Sequence, residues 1–449
     1  MAGAHDERSL SLRDLQPSTL DVYKPVRNSV FFLSLFCCLL YAGAKEAEAC
    51  GQQTHTWISL KALELLPESP LRRLLSDPAQ HEMLVNGSMF PDGGYAIDHP
   101  YGEAAHWAPF HRAYLRWIQE QFDAPYDDPV AATHVAFLMG LTSHGLADEY
   151  YDATFFAASR VHDARSDDLD HHDNFDTQTD VLFAAASGHR LEPSATLPME
   201  PILHIFDHVL DLEVEADQIQ RGQELLQTAA WLVATGSQNP SEIATAHIAY
   251  PWAGEHIDDE GVSGSPPVIA EAVAAQWQAL WAVLQGEQSF NDLPVSFSWP
   301  REGEALSHRQ GGVPESRVAV ILSAAIDRAA QLSEFGSVVR DGDSVVPHSS
   351  AFFYRDRSHV VVADPETEWP AAERLQFVLP EGLETYDGDV LDEPVSIPFR
   401  TVPVVPEPPV EQGCSCSHGE GGPWDAFAWM LLLLGINLRS GNRHHGRSG

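Results

Sequence analysis

The chain has 449 residues, with 65 acidic against 26 basic side chains and a formal net charge of −39. That charge argues against nucleic-acid binding by counterion release, while the length and 44% apolar content allow two or three domains with cores of their own. None of the five cysteines lies between Cys50 and Cys414. The fold between them therefore has no internal disulfide and no four-cysteine zinc site, and packing or a His/carboxylate metal site must hold it.

In chain order, Lys24 and Arg27 precede an apolar run over 30–41, which is followed by Ala47-Glu48-Ala49. Residues 1–49 read as an export signal with an A-x-A cleavage site. Cutting after Ala49 frees an α-amine at Cys50, five residues before His55, and an amine with its own carbonyl oxygen can chelate a metal. Lipoprotein processing would instead acylate that amine. Ala47 and Glu48 fit the lipoprotein pattern poorly, so simple cleavage is the expectation.

From 50 to 288 the apolar spacing is helical, and it predicts helices over 55–66, 104–122, 130–158, 176–186, 201–212, 217–235 and 268–285. The third is apolar on several faces and belongs in the middle of a bundle. Over 289–402 the pattern changes to short β-rich runs at 318–322, 337–339, 359–362 and 375–379. Asp341-Gly342-Asp343 and Asp387-Gly388-Asp389 supply turns between them. Such spacing predicts a β-sandwich, similar to bacterial immunoglobulin-like modules and expected to be a spacer without chemistry of its own. The fold class is thus multi-domain, an all-α bundle followed by an immunoglobulin-like β-sandwich. Proline-rich residues 403–412 form a linker. Residues 413–449 hold Cys414 and Cys416, an apolar run containing Asp425 and a basic end. In that order they resemble myxobacterial C-terminal sorting tags, which implies sorting machinery and anchoring at the cell surface. A loose amphipathic tail is the plainer alternative.

His144 and Asp148 share one helix face, and burying both in an apolar helix requires something that pairs them. A divalent cation does so; a hydrogen-bonded His–Asp pair does as well. His172 and Asp176 repeat the spacing. Asp92 follows a Gly/Ser turn and His106 sits by a helix start, and each has an ordinary structural reading as a turn former or a surface histidine. His204 and His208 also share a face, and they read as structural.

The blocks Cys50-Gly51…Thr54-His55, Phe90-Pro91-Asp92, His106-Trp107-Ala108-Pro109-Phe110 and the run from Gly140 to Asp148 occur in this order. Together they resemble zinc-dependent phospholipases C, most nearly the catalytic domain of glycosylphosphatidylinositol-specific phospholipase D, over residues 50–200 and more loosely to 288. The resemblance implies up to three zinc ions. Cys50 (amine and carbonyl) and His55 would hold one; Asp92, His106 and His144 a second, with Asp148 bridging the two. His172, Asp176 and a residue one turn beyond Asp148 would hold the third. Family members carry histidine at that last position; this chain has Asp152, a shorter and more negative ligand. His162, His171, Asp173 and Asp180 lie nearby and read mainly as a solvated acidic loop.

The implied activity is phosphodiester hydrolysis of phospholipids or phosphoinositol-glycan lipids, with Asp92 and Asp148 as catalytic residues and Asp92 orienting or deprotonating the attacking water. Phe90, Trp107, Phe110 and Tyr151 are candidates for the pocket border, or for bundle packing. Expected partners are the lipid substrate and the membrane surface, with no nucleic acid. The rivals are a zinc-dependent single-strand nuclease and a non-catalytic surface protein with structural zinc.

Overall fold

The computed structural model describes residues 50–163, 174–191, 194–301, 303–306, 316–326, 337–340, 344–352 and 357–402. The expected signal, linker and tail, and His171, His172 and Asp173, lie outside the described residues.

Helices fill the first part of the chain: α1 (Gln52–Leu65), α2 (Pro70–Leu75), α3 (Pro78–Gly87), α4 (Asp92–Ala96), α5 (Tyr101–His106), α6 (Ala108–Gln121) and α7 (Pro129–Tyr150). A π-helix, Tyr151–Phe156, continues α7 into α8 (Ala157–His162). Then come α9 (Phe175–Ser187), α10 (Met199–His208), α11 (Ala216–Gly236), α12 (Pro240–Ala249), α13 (Pro251–His256) and α14 (Pro266–Leu284). Four starts use one device, a capping side chain followed by proline: Ser69-Pro70, Asp77-Pro78, Asp128-Pro129 and Asn239-Pro240. Asp128 is typical, its carboxylate accepting from Val130 N at 2.9 Å.

α7 is buried along nearly its whole length, as its apolar faces require, and α3 and α14 pack against it. Two departures from the sequence expectation shape the site. The stretch over 104–122 is two helices, because Trp107 adopts an extended backbone (φ −113°, ψ 167°) ahead of Ala108 and Pro109. The break leaves His106 at the end of one helix, pointing inward. The helix expected over 130–158 changes to π geometry at Tyr151, and such a π-turn resets which residues face inward.

The later part forms two small sheets from β1 (Val295–Trp299), β2 (Ala305–Leu306), β3 (Val318–Leu322), β4 (Ser337–Arg340), β5 (Val345–Val346), β6 (His348–Phe352), β7 (Val360–Pro365), β8 (Arg374–Leu379) and β9 (Val395–Thr401). One sheet has the order β1-β3-β7-β6 and is antiparallel, with Val320 opposite Ser298 and Val361. The other has the order β2-β9-β8-β4-β5, antiparallel except for the β2/β9 pair. β3 is buried on both faces, whereas β8 alternates buried and outward residues.

Far from being held at a distance, the sheets are bonded to the helices. Glu149, 2% exposed on α7, accepts from Ser358 Oγ (2.8 Å), His359 N (2.7 Å) and Val360 N (3.1 Å). Gln276 of α14 donates to Ser323 O at 3.0 Å and accepts from Ser296 Oγ at 2.7 Å. Arg112 and Arg116 of α6 pair with Asp387 in the Asp-Gly-Asp turn.

Candidate metal centre

Six predicted ligands converge from four segments. Cys50 and His55 come from the start of α1, Asp92 from α4 and His106 from the end of α5, while His144 and Asp148 lie one turn apart on α7. All are buried. Gly145 makes this closeness possible. A Cβ there would lie 2.4 Å from the backbone oxygen of His106, so only glycine lets the end of α5 reach α7.

The histidine tautomers follow from their outer hydrogen bonds. His106 Nδ1 donates to Gly102 O (2.6 Å) and His144 Nδ1 donates to Ser88 O (2.8 Å). Each Nε2 therefore carries its lone pair inward, and the two nitrogens stand only 3.0 Å apart. Two lone pairs at that distance repel unless a proton or a metal cation lies between them.

Asp148 divides its oxygens between two groups. Oδ1 lies 3.1 Å from His55 Nε2 and 3.8 Å from Cys50 Sγ. Oδ2 lies 3.2 Å from His144 Nε2 and 3.7 Å from His106 Nε2, and it receives no well-directed hydrogen bond although fully buried. Asp92 Oδ1 completes the second group, 3.1 Å from His106 Nε2 and 3.6 Å from His144 Nε2. Its other oxygen is held by Gln52 Nε2. An orphaned buried carboxylate oxygen, inward-facing imidazoles and mutual distances near 3–4 Å are the donor set of a divalent cation site. The residues present fit metal.

The electrostatics agree. Burial alone would push Asp92 up, but the charge of His144 and hydrogen bonds from His106 and His144 hold it well below the ordinary carboxylate range. Burial also opposes ionisation of Asp148, and the charges of His144 and His55 bring it down to about 2. Burial would lower His144, yet Asp148 and Asp92 outweigh it and raise the ring to about 10. Two buried carboxylates thus demand positive charge at this spot, supplied by a proton or by a metal.

The remaining predicted residues are placed less completely. Asp152 is buried within the π-helix and Asp176 is half-buried in the first turn of α9. The Cys50 thiol is pushed well up, first by burial and then by the charges of Asp148, Asp152, Asp176 and Asp180. Phe90, Phe110 and Tyr151 are core side chains, and Trp107 is half-buried with its indole N–H on Glu103. His204 and His208 are exposed and stack on each other. His162 is exposed and stacks on Trp252.

Asp180 corrects the expectation of a solvated loop: it is 1% exposed. Its carboxylate accepts from Gln53 N (3.0 Å), Thr54 N (2.8 Å) and Thr54 Oγ1 (2.8 Å), capping α1 from another helix. This explains why α1 starts at Gln52, earlier than expected. It also explains Gly51, where a Cβ would lie 2.3 Å from Asp180 Cβ. Gln52 was missed because it belongs to no ligand-spaced pair, and the role of Asp180 because its partners Gln53 and Thr54 lie more than a hundred residues away in the chain; the Cys-Gly dipeptide was the available signal.

No protein-family model matches the chain. It is 27% identical over 201 residues to a phosphatidylinositol-glycan-specific phospholipase D of Mus musculus, covering 41% of this chain and 22% of that protein. The same enzyme of Bos taurus is 34% identical over 114 residues, and that of Homo sapiens 34% over 109; each match covers 22% of this chain and 13% of the relative. Part of this chain is thus similar in sequence to phosphatidylinositol-glycan-specific phospholipases D. The chain spans about a fifth or less of the length of these relatives. Among solved structures, the N-terminal part of the S-layer protein SbsC aligns over 74% of this chain and 79% of its own, at 10% identity and a TM-score of 0.18. A likeness at that score carries no argument about fold or function.

Proposed function

We propose that the chain is a zinc-dependent phosphodiester hydrolase acting on phospholipids or phosphoinositol-glycan lipids. The observation that carries this reading is the split carboxylate of Asp148, one oxygen in each of two ligand groups. The partial homology to phosphatidylinositol-glycan-specific phospholipases D supports the substrate class. In this reading Cys50, His55 and Asp148 hold one zinc, and Asp92, His106, His144 and Asp148 hold the second. Asp152, His172 and Asp176 belong to a third site, altered by the aspartate at 152.

When bound, paired zinc ions supply Lewis-acid charge to the phosphoryl oxygens and bring the pKa of a coordinated water towards ~7. The chain's own residues do the rest. Ser88 O and Gly102 O fix the imidazole tautomers, so His144 and His106 present only acceptor nitrogens. Gln52 turns Asp92 so that Oδ1 faces the centre, where an ionised carboxylate can orient a water. Asp148 stays ionised and spans the two groups.

Around this centre we assign residues 50–288 to a helical catalytic domain and 289–402 to an immunoglobulin-like sandwich. Residues 1–49 serve export, 403–412 link, and 413–449 anchor the protein at the cell surface. Purified protein, assayed on phosphatidylcholine, phosphatidylinositol, a glycosylphosphatidylinositol-anchored protein and single-stranded DNA, tests the activity. Lipid hydrolysis lost with a chelator and regained with zinc is expected. Cleavage of DNA alone would make it a nuclease, and zinc retention without any hydrolysis would make the metal structural.

A further inference from the structure

Arg374 of β8 and Arg400 of β9 are direct partners across the antiparallel pair, and both side chains are exposed. Residues so paired hold their Cβ atoms about 5 Å apart, where like charges repel. The chain has 65 acidic side chains against 26 basic ones, yet among the described residues neither guanidinium has an ion pair or a side-chain hydrogen bond. Arg112, Arg116, Arg301 and Arg317, by contrast, each hold a carboxylate. Arg374 and Arg400 line one open cleft of about 360 Å³ with Gln376, Pro398 and Glu304. Glu304 does not neutralise them, because its carboxylate lies 3.3 Å from Arg301 Nη1. Gln376 stands two residues from Arg374 on the same outward face and adds an amide donor. Two guanidinium forks and an amide are the donor set for a tetrahedral oxyanion such as phosphate.

We infer that this face of the second sheet docks on an anionic lipid surface, Arg374 and Arg400 gripping the headgroup phosphates. Two observations favour a membrane over a soluble anion. The cleft is shallow and lies on a strand face, so it would leave a small ion largely in water but can meet a planar array of phosphates. β9 is also the last described strand, and the tail that we assign to anchoring follows it. Residues 403–423, about 70 Å at full stretch, separate β9 from the apolar run of that tail. Such a tether raises the effective concentration of the bilayer at the arginine face. The net charge of −39 does not forbid the contact. At physiological ionic strength, exposed charges more than about 8 Å from the headgroups are largely screened, while the two arginines touch them.

The inference takes the anchoring tail from the proposed function and does not need the metal centre. The full chain and its R374Q/R400Q variant are floated with vesicles of phosphatidylcholine, alone or with one-third phosphatidylglycerol. A chelator is present throughout, which stops zinc-dependent hydrolysis and bridging by free metal. The parent should prefer the anionic vesicles about tenfold. That preference should fall below about twofold in R374Q/R400Q and at high salt, with binding to neutral vesicles unchanged. R374K/R400K, which keeps both charges, should retain most of it. An equal preference in parent and R374Q/R400Q, or none in the parent, would overturn the docking face. Parent protein that binds inorganic phosphate without preferring anionic vesicles would overturn it as well, in favour of a soluble anion. Anionic preference without any binding to neutral vesicles would remove the anchor and still support the arginine face.

Discussion

A histidine presents one ring nitrogen according to the hydrogen bond that its other nitrogen makes, and here two backbone carbonyls make that choice. Ser88 and Gly102 contribute no side chain to the centre, yet they turn His144 and His106 into paired acceptors. That the candidate residues could meet was legible in the sequence, because His144 and Asp148 stand four apart on a helix and Cys50 and His55 flank a helix start. Asp180 was not legible: its contact with Thr54 spans 126 residues of chain, and no local pattern records such a contact. Its consequence is testable. Asp180→Asn sets an amide N–H₂ against backbone N–H donors at the start of α1, and urea unfolding should show a loss of about 1–2 kcal/mol. Gly51→Ala, forced against the same carboxyl group, should lose about 1–3 kcal/mol. Both variants should retain less zinc after dialysis, since Cys50 is displaced with the helix start. Unchanged stability and zinc content in both would remove Asp180 as the anchor of that segment.

Among the elements, α7 carries most of the design. It brings His144 and Asp148 to the candidate centre on one face and Glu149 to the sheets on another, so a single helix joins the candidate ligand groups to β7. Sequence periodicity identified α7 as a central helix, but its apolar character on every face hid which neighbour each side would meet. The break at Trp107 and the π-turn at Tyr151 were equally hidden, being decided by how α5, α6 and α8 fit around α7. Removing the Glu149 carboxylate takes the acceptor from His359 N and leaves Ser358 Oγ and Val360 N only their 3.1 Å bonds to Val360 O and Ser358 Oγ. Glu149→Ala should therefore destabilise the protein by about 2–4 kcal/mol, against about 1 kcal/mol for Ser358→Ala. Differential scanning calorimetry of both variants checks the ratio. Equal and small effects would mean that the docking carries little energy.

At the scale of the whole molecule, the acidic surface and the buried histidines give the fold opposite pH demands. Burial, aided by the charge of His359, lowers His111 from 6.5 to about 3, while its Nε2 donates to Ala105 O. The unfolded chain takes up this proton near pH 6.5 and the folded one only near 3. Stability held above pH 6.5 is therefore lost as the pH falls through that window. With chelator present, His111→Gln should flatten the pH dependence of the unfolding free energy by about 1.4 kcal/mol per pH unit between 6 and 4. A parallel slope in parent and variant would show that His111 is not kept neutral by the fold. The same scale is where sequence reading fell shortest. Alternating β runs announced strands at 318–322 and 375–379, but nothing in them announced that residues 358–360 and Asp387 would be bonded to α6 and α7. The sheets are hydrogen-bonded to the helix that carries His144 and Asp148.

The proposed function requires a cation on either side of Asp148. Diffraction data from zinc-loaded crystals, collected on either side of the zinc absorption edge, test it directly. Anomalous peaks are expected on both sides of the Asp148 carboxylate, one beside His55 and one beside His106 and His144. A map with no peak at either position, or with zinc only on distant surface residues, would contradict it.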